Sequence, residues 1–198
     1  MKALLLIDIQ NDFVEGGSLA VPGGNKIISL VNELQAQYQL VVATQDWHPH
    51  NHASFAANHQ SHKVGEVIEL DGLAQVLWPV HCVQGSEGAE FAPSLKMNSV
   101  DRIFHKGTDS QIDSYSGFFD NGHRKDTGLG SYLKEQGVHA VDIVGLATDY
   151  CVKFSALDAV QLGFDTTVIA AACRGVNLQA GDVETAYETM RSQGVKIA

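Results

Sequence analysis

The sequence contains few cysteines and few basic residues. Its 3 cysteines among 198 residues show no repeated spacing and do not form a disulfide framework, so we expect a reducing compartment, the cytoplasm. The 13 Lys+Arg against 23 Asp+Glu give a formal net charge of −10. This balance argues against binding to nucleic acid phosphates or to an anionic membrane surface, because both need clustered basic residues. A small molecule is the expected partner.

Long apolar runs and several common catalytic motifs are also missing. No run approaches the roughly 20 apolar residues of a membrane span, and the apolar run 3–7 is too short for a signal peptide. The sequence has no Gly-x-Gly-x-x-Gly after the first apolar run, no P-loop, no His-Glu-x-x-His and no Gly-x-Ser-x-Gly. The usual sequence signatures of dinucleotide binding, nucleotide hydrolysis and serine hydrolysis are therefore absent.

Apolar runs alternate with helix-like stretches along most of the chain. This alternation is typical of βαβ units around a parallel sheet, and the length suits one domain. The predicted strands are 4–7, 40–43, 102–105, 138–144, 165–171 and 195–197, and the predicted helices are 26–37, 128–136, 148–161 and 183–193. We therefore predict a single doubly wound α/β domain over 1–198, with a mostly parallel six-stranded sheet flanked by helices.

A histidine-rich stretch at about 44–100 interrupts this alternation. Long connections with little periodicity are usually functional, and five of the nine histidines lie within fifteen positions here: His48, His50, His52, His59 and His62. Imidazole and carboxylate groups, offered by Asp46-Trp47-His48 and by His81 further on, suit Zn, Fe or Mn. The stretch is thus predicted to be a metal-binding insertion, although composition alone does not choose among its histidines.

Two charged residues follow predicted strands, where ligands bind in doubly wound sheets. Asp8 ends the first strand, where burial would raise its pKa and suit it to act as a general base. A carboxylate that merely caps the following loop is the alternative. Lys106 follows the strand 102–105 and could stabilise a thiolate and a carboxylate, whereas a solvated surface lysine is the ordinary case.

Cys151 lies where a predicted strand gives way to a helix near Thr148. The positive end of the helix dipole would lower the pKa of the thiol, and the free N–H groups of the first turn could hold an oxyanion. A buried, inert cysteine is the alternative, and it is the preferred interpretation for Cys173. Cys82, beside His81, is compatible with either interpretation. The pattern around Cys151 indicates acyl transfer.

These residues resemble the nicotinamidase branch of the isochorismatase-like cysteine hydrolases. The matching blocks follow in order through nearly the whole chain: 6–13, 16–21, 44–49, 78–83, 106–107, 115–118 and 145–152. The Asp-x-His block at Asp46 and the Trp-Pro-x-His-Cys block at Trp78 are similar to the metal-containing amidases of that group in particular.

The resemblance implies a nicotinamide amidohydrolase of NAD salvage, which converts nicotinamide and water to nicotinate and ammonia and also cleaves pyrazinamide. Asp8, Lys106 and Cys151 would be the catalytic residues. The backbone N–H groups of Ala147 and Cys151 would form the oxyanion hole, next to a cis peptide bond between Leu146 and Ala147.

The resemblance also implies a metal centre and a ring pocket. One divalent ion, Zn, Fe or Mn, would be held by Asp46, His48, His52 and His81. His50 is the alternative to His52, but it lies only two residues from His48 across Pro49. The substrate ring would lie against Phe13, Trp78, Tyr115 and Ala147.

Two other functions are weighed against this one. A related hydrolase could act on another amide or carbamoyl compound, which the histidine-rich block disfavours. A catalytically inactive binding domain is disfavoured by the intact set of Asp8, Lys106 and Cys151. Relatives are often oligomers, so a homo-oligomer is also compatible with the resemblance.

Overall fold

The structure, a computed structural model, describes residues 1–198. The strands are β1 (Lys2–Ile7), β2 (Val41–Asp46), β3 (Val67–Leu70), β4 (Leu73–Val76), β5 (Arg102–Lys106), β6 (Ala140–Leu146), β7 (Asp165–Arg174) and β8 (Lys196–Ile197). The α-helices are α1 (Ile28–Gln35), α2 (Leu129–Glu135), α3 (Lys153–Gln161) and α4 (Asp182–Ser192). No helix combines the length and the apolar character that crossing a bilayer requires.

Six strands form one parallel sheet in the order β5-β2-β1-β6-β7-β8. The strands β2 and β6 are buried along their whole length, and β1 is exposed only at Lys2. Continuous apolar runs are expected of strands that are covered on both faces. The predicted α/β class and the six-stranded sheet flanked by helices are confirmed.

The side chains of β1 alternate between two apolar cores, one on each face of the sheet. Leu5 and Ile7 belong to the core that α2, α3 and α4 cover, through residues such as Leu133, Ala156 and Met190. Leu4 and Leu6 face the other core, together with residues of α1 and of the long connections: Phe13, Val21, Ile28, Val31 and Ala89. The period of two along the strand therefore fixes which layer each residue joins.

The insertion at 44–100 contains an antiparallel hairpin that the sequence analysis left unassigned. Strands β3 and β4 pair around Asp71 and Gly72, which have φ angles of 50° and 80°. An Asp-Gly pair with two positive φ angles is the preferred turn of a two-residue hairpin, so this signal was present in the sequence. The hairpin was missed because its strands are short and half-exposed, with Val67 63% exposed.

The connection from β6 to α3 is irregular. Gly145 has a φ of 126°, and a Cβ atom there would lie 2.1 Å from the carbonyl oxygen of Ile7 on the neighbouring strand, so only glycine fits. The register between β6 and β7 shifts at this point. The peptide bond between Leu146 and Ala147 is cis, and a π-helical turn, Thr148–Val152, leads into α3.

Candidate active site and metal centre

The carboxyl ends of β1, β2 and β5 bring three charged side chains together. Asp8 directly follows β1, Asp46 ends β2 and Lys106 ends β5, and Asp46 and Lys106 are partners in the sheet register. All three are buried, with exposures of 0%, 4% and 2% respectively. Burial of charged groups is costly unless they are paired, so the two carboxylates must pair with the ammonium of Lys106.

Lys106 is the centre of this cluster. Its Nζ lies 2.6 Å from Oδ1 of Asp46, 2.9 Å from Oδ2 of Asp8 and 3.5 Å from Sγ of Cys151. It also donates to the carbonyl of Ser114 at 2.8 Å. Burial would lower the pKa of Lys106, but the two carboxylates raise that pKa well above its usual range. The ammonium is therefore a permanent positive charge between the carboxylates and the thiol.

Asp8 is placed to exchange a proton. Its Oδ1 accepts a hydrogen bond of 2.7 Å from the hydroxyl of Thr44, and its own N–H donates to the same hydroxyl at 3.2 Å. Burial raises the pKa of Asp8, and Lys106 opposes this effect only in part. A carboxylate with a raised pKa is a stronger base, which suits the removal of a proton from a thiol.

Cys151 lies in the π-helical turn and is buried. Burial raises the pKa of its thiol well above the usual value, although Lys106 lowers it. The expectation of a lowered pKa was wrong, because removal from water outweighs the effect of the nearby ammonium. The thiol is protonated at rest, and a neighbouring base is needed to activate it. The acceptor atoms of Asp8 and the sulfur of Cys151 lie within 4.8 Å of each other.

The backbone N–H of Ala147 is one of the two donors expected to form the oxyanion hole. Outside the helices and strands, no backbone hydrogen bond uses the N–H of Ala147 as its donor. Its carbonyl, by contrast, accepts from Tyr150 and Val152 at 3.1 Å each, which holds the turn. A donor that is left free beside a nucleophile can serve a developing negative charge.

A cleft opens above Cys151 and is lined by aromatic and aliphatic side chains. Its walls include all four residues predicted for the ring pocket, Phe13, Trp78, Tyr115 and Ala147. The indole N–H of Trp78 donates to the hydroxyl of Tyr115 at 3.2 Å, which fixes the two rings relative to each other. The sequence analysis missed further lining residues: Leu19, Asp113, Tyr150 and Val176.

Asp46, His48 and His81 converge beside this cleft. Oδ2 of Asp46 lies 3.4 Å from Nε2 of His48 and 3.8 Å from Nε2 of His81, and all three side chains are buried. Burial would raise the pKa of Asp46, but Lys106 and His48 hold it well below its usual range. Nδ1 of His48 lies 2.9 Å from the carbonyl of Gly107, and Nδ1 of His81 lies 2.8 Å from that of Pro79.

These contacts fix the ring tautomers of two histidines. A carbonyl can only accept a hydrogen bond, so Nδ1 of each ring carries a hydrogen, and in the neutral form of each ring Nε2 keeps its lone pair. Both lone pairs then lie close to the ionised carboxylate of Asp46, with donor atoms within 4.8 Å of one another. Two imidazoles and one carboxylate in this arrangement fit a divalent ion with open positions.

His52 lies apart from this group. Its ring packs 4.3 Å from that of His48, centroid to centroid, but its donor atom groups with His48 and Asp113 rather than with Asp46 and His81. Burial, followed by the neighbouring His48, lowers the pKa of His52 to about 4, so the ring is neutral. Asp113 was missed because it lies in a polar loop without periodicity.

The remaining histidines of the insertion have no such neighbours. His50 is exposed, and His62 pairs with the exposed Glu66 at 2.9 Å. His59 donates from Nε2 to the carbonyl of Ala53 at 2.7 Å. Cys82 is buried, and its backbone N–H donates to Asp12 at 2.7 Å. None of these residues belongs to the group of Asp46, His48 and His81.

Comparison with known proteins identifies the family of this chain. Residues 2–198 match the model of the isochorismatase domain. The chain belongs to the isochorismatase family. Among curated relatives in the isochorismatase family, the nicotinamidase of Escherichia coli strain K12 is 47% identical over 202 residues, which cover 99% of this chain and 93% of that protein.

Solved structures of the isochorismatase family show the same fold. A nicotinamidase and pyrazinamidase of Acinetobacter baumanii superposes with a TM-score of 0.97 at 50% identity, covering 99% of this chain and 94% of that one. The pyrazinamidase of Pyrococcus horikoshii, solved in complex with zinc, superposes with a TM-score of 0.81 at 38% identity. That comparison covers 100% of this chain and 98% of the Pyrococcus chain.

Proposed function

We propose that this protein is a nicotinamidase, which hydrolyses nicotinamide to nicotinate and ammonia. The observation that carries the proposal is the contact of Lys106 with Asp8 and with Cys151, and Cys151 lines an aromatic cleft. The family membership and the nicotinamidase of Escherichia coli support the reaction type. Asp8, Lys106 and Cys151 are the proposed catalytic residues.

The first half of the reaction forms a thioester. Asp8 takes the proton of the Cys151 thiol, and the thiolate attacks the carboxamide carbon. The carbonyl oxygen becomes an oxyanion that the N–H groups of Ala147 and Cys151 stabilise. Asp8 then returns the proton to the departing nitrogen, and the C–N bond breaks to release ammonia. Lys106 holds both the carboxylate and the thiolate in place throughout.

The second half of the reaction repeats these roles with water. Asp8 removes a proton from a water molecule, which attacks the thioester carbon. The C–S bond breaks, Cys151 regains its proton from Asp8, and nicotinate leaves. Phe13, Trp78 and Tyr115 exclude other water from the ring and limit its orientations.

The centre formed by Asp46, His48 and His81 is proposed to hold one divalent ion, Zn, Fe or Mn. Two converging lone pairs and an ionised carboxylate are an appropriate donor set for each of these ions. When bound there, the ion would offer a coordination position to the ring nitrogen of the substrate, which would orient the carboxamide.

A comparison of two cysteine variants tests the proposed reaction. Cys151→Ala should lower kcat for ammonia release from nicotinamide by at least about a thousandfold, because no other group can form the thioester. Cys173→Ala is the matched control, since Cys173 is also a buried free cysteine but lies in β7. It should keep its turnover. Absence of ammonia release by the metal-loaded wild-type protein would overturn the proposal.

The same assay with other amides separates this function from hydrolysis of a different amide or carbamoyl compound. Pyrazinamide keeps the ring nitrogen and the carboxamide, so it should be cleaved. Benzamide lacks the ring nitrogen and should be a much poorer substrate. Equal rates with benzamide and nicotinamide would show that the ring nitrogen is not recognised.

A further inference from the structure

The hairpin of β3 and β4 buries a polar side chain and exposes an apolar one. Gln75 is 3% exposed, whereas Val67 on the paired strand is 63% exposed. Gln75 is also the one buried residue of the two hairpin strands. Folding alone favours the opposite arrangement, because burial stabilises an apolar side chain and is costly for an amide unless the amide is hydrogen-bonded. A residue that breaks this pattern is expected where function requires it.

Three acceptors surround the amide nitrogen of Gln75. Nε2 lies 2.8 Å from the carbonyl oxygen of Val76, 3.0 Å from Oδ2 of Asp113 and 3.1 Å from the hydroxyl of Tyr115. A carbonyl and a carboxylate only accept hydrogen bonds, so the nitrogen end of the amide must face them. Asp113 and Tyr115 both line the substrate cleft. Gln75 therefore connects the hairpin to two walls of the cleft.

The hydroxyl of Tyr115 receives two hydrogen bonds from one segment of the chain. The indole N–H of Trp78 donates to it at 3.2 Å, beside the amide of Gln75. These donors use both lone pairs of the hydroxyl oxygen, and no hydrogen bond within the structure uses the O–H as its donor. Burial and the nearby Asp113 raise the pKa of Tyr115 well above its usual value, so the hydroxyl keeps its hydrogen. This hydrogen is therefore free to bond a ligand in the cleft.

The ring of Tyr115 also contacts α3 and the turn before it. Phe154 stacks on this ring, with 5.4 Å between the centroids and 25° between the planes. Tyr150 meets it edge-on at 5.4 Å. Aromatic contacts hold the plane of a ring, whereas hydrogen bonds to its hydroxyl fix where the hydroxyl end lies. The hairpin therefore sets the direction in which the O–H of Tyr115 points.

We propose that Gln75 is a positioning residue of the substrate cleft, which fixes the hydroxyl of Tyr115 so that its O–H donates to a lone pair of the bound amide. The inference rests on the proposed nicotinamidase activity and deepens it by adding a hydrogen-bond donor to substrate recognition. Nicotinamide has such lone pairs on its carboxamide oxygen and its ring nitrogen. Gln75 is not among the residues that line the cleft, so it acts only through the side chains that it contacts.

Kinetics of nicotinamide hydrolysis by the full-length protein test the role of Gln75. Gln75→Met keeps the length of the side chain but removes its N–H donors, so the KM should rise roughly five- to tenfold while kcat changes by less than about twofold. Methionine is apolar and adaptable, so the variant is expected to fold, which thermal unfolding checks. Gln35→Met is the matched control, since Gln35 is also 3% exposed but lies in α1, and its KM should equal that of wild type.

The outcomes of this assay are distinct. An unchanged KM in Gln75→Met, beside a wild type that releases ammonia from nicotinamide, would overturn the inference. An equal rise of the KM in Gln35→Met would also overturn it, because loss of any buried glutamine would then have the same effect. If the metal-loaded wild type releases no ammonia, the proposed activity itself fails, which is a different result.

A double-mutant cycle shows whether Gln75 acts through the hydroxyl. Tyr115→Phe removes the hydroxyl and should itself raise the KM for nicotinamide. Adding Gln75→Met to Tyr115→Phe should then raise the KM by less than about twofold more, because changes within one hydrogen-bond network are not additive. The same five- to tenfold effect in both backgrounds would show that Gln75 does not act through Tyr115.

The indole signals of the protein provide a readout other than activity. The chain has two tryptophans, so a proton–nitrogen correlation spectrum shows two side-chain N–H signals, which Trp47→Phe assigns. In Gln75→Met the signal of Trp78 should shift, because the hydroxyl to which Trp78 donates is no longer fixed, whereas the signal of Trp47 should not. Both signals should be unchanged in Gln35→Met. A Trp78 signal in Gln75→Met identical to that of wild type would contradict the inference.

Discussion

Asp8 and Asp46 share one ammonium group, that of Lys106, and the two carboxylates respond to it differently. Asp46 has Lys106 and His48 beside it and a pKa well below the usual range. Asp8 is fully buried, and desolvation leaves its pKa raised. Two acids with separated pKa values can take separate roles. In the proposed reaction Asp46 stays ionised, as a ligand of the ion would need to be, and Asp8 would carry the proton that moves.

Asp8→Asn should separate activity from stability. Asparagine has the same shape and tolerates the left-handed backbone of Asp8, whose φ is 47°. General bases contribute roughly 10²–10⁴-fold, so kcat should fall by about that factor. The variant should nevertheless unfold at the same or a higher temperature at neutral pH, because a carboxylate whose pKa is raised on folding is disfavoured in the folded state once it is ionised.

The pH dependence fixes the sign of this effect. The raised pKa of Asp8 adds stability below its unfolded value near 3.8, and this stability is lost as pH rises through the folded value. The melting temperature of Asp8→Asn should therefore increase relative to that of wild type as pH rises through that range. Asp165→Asn is the control, since Lys196 lowers the pKa of Asp165 and the effect has the opposite sign. A lower melting temperature of Asp8→Asn at every pH would contradict the prediction.

The sequence predicts most residues of the candidate site, because position after a strand is readable from the apolar pattern. Asp8 and Lys106 were proposed in this way, and the structure places their side chains in contact. The protonation state of Cys151 was not, because the expected dipole effect can be read from a helix start whereas burial depends on the complete fold. Asp113 was missed for the same reason, since nothing in its loop shows that it faces His52.

At the scale of elements, the turn after β5 connects the proposed catalytic lysine to the proposed metal centre. Gly107 follows Lys106 directly, has a φ of 62°, and accepts through its carbonyl from Nδ1 of His48. A Cβ atom at this position would lie 2.3 Å from Cε1 of His48. The strand end therefore sets the position of the imidazole as well as that of the ammonium.

Gly107→Ala should disturb the metal centre more than its backbone strain explains. A positive φ costs alanine roughly 1–2 kcal/mol, and the added methyl group must also displace the ring of His48. We expect zinc affinity to fall by at least about tenfold, as for the loss of a group that orients a ligand. Gly137→Ala is the matched control, since its φ is 70° and nothing lies within 4 Å of the added atom. Equal zinc affinities in the two variants would show that His48 is not displaced.

The helices and strands were predicted where their hydrophobic pattern extends over enough residues to be recognised. The buried strands and amphipathic helices confirm the six-stranded sheet, since each has an apolar run or a helical repeat. The hairpin of β3 and β4 was left out although its Asp71-Gly72 turn is a recognised signal. Its four-residue strands are half-exposed, and the structure ties the hairpin to the cleft through Gln75, which donates to Asp113 and Tyr115.

At the scale of the whole molecule, the proposed ion joins separate parts of the chain. Asp46 ends β2, His48 follows it, and His81 lies after the hairpin. These groups are within 4.8 Å of one another only in the folded chain, so the ion should bind the folded state in preference. Metal binding must then stabilise the complete fold.

Removal of the ion should lower the unfolding temperature. A ligand at 100 times its Kd stabilises the folded state by about 2.7 kcal/mol, and a domain of this size gains roughly 2–4 °C for each kcal/mol. Chelation should thus lower the melting temperature by roughly 5–11 °C and reduce ammonia release, and added zinc should restore both. Unchanged melting and activity in a sample shown to be free of metal would contradict the proposed centre.

The strand order has a consequence for synthesis on the ribosome. β1 lies between β2 and β6, and β6 is formed only after more than half of the chain has been made. A nascent chain that ends before β6 contains Asp8 and Lys106, yet it lacks a neighbour for one side of β1 and lacks Cys151. Products that end before Cys151 therefore lack the proposed nucleophile, and this residue lies in the turn after the strand that encloses β1.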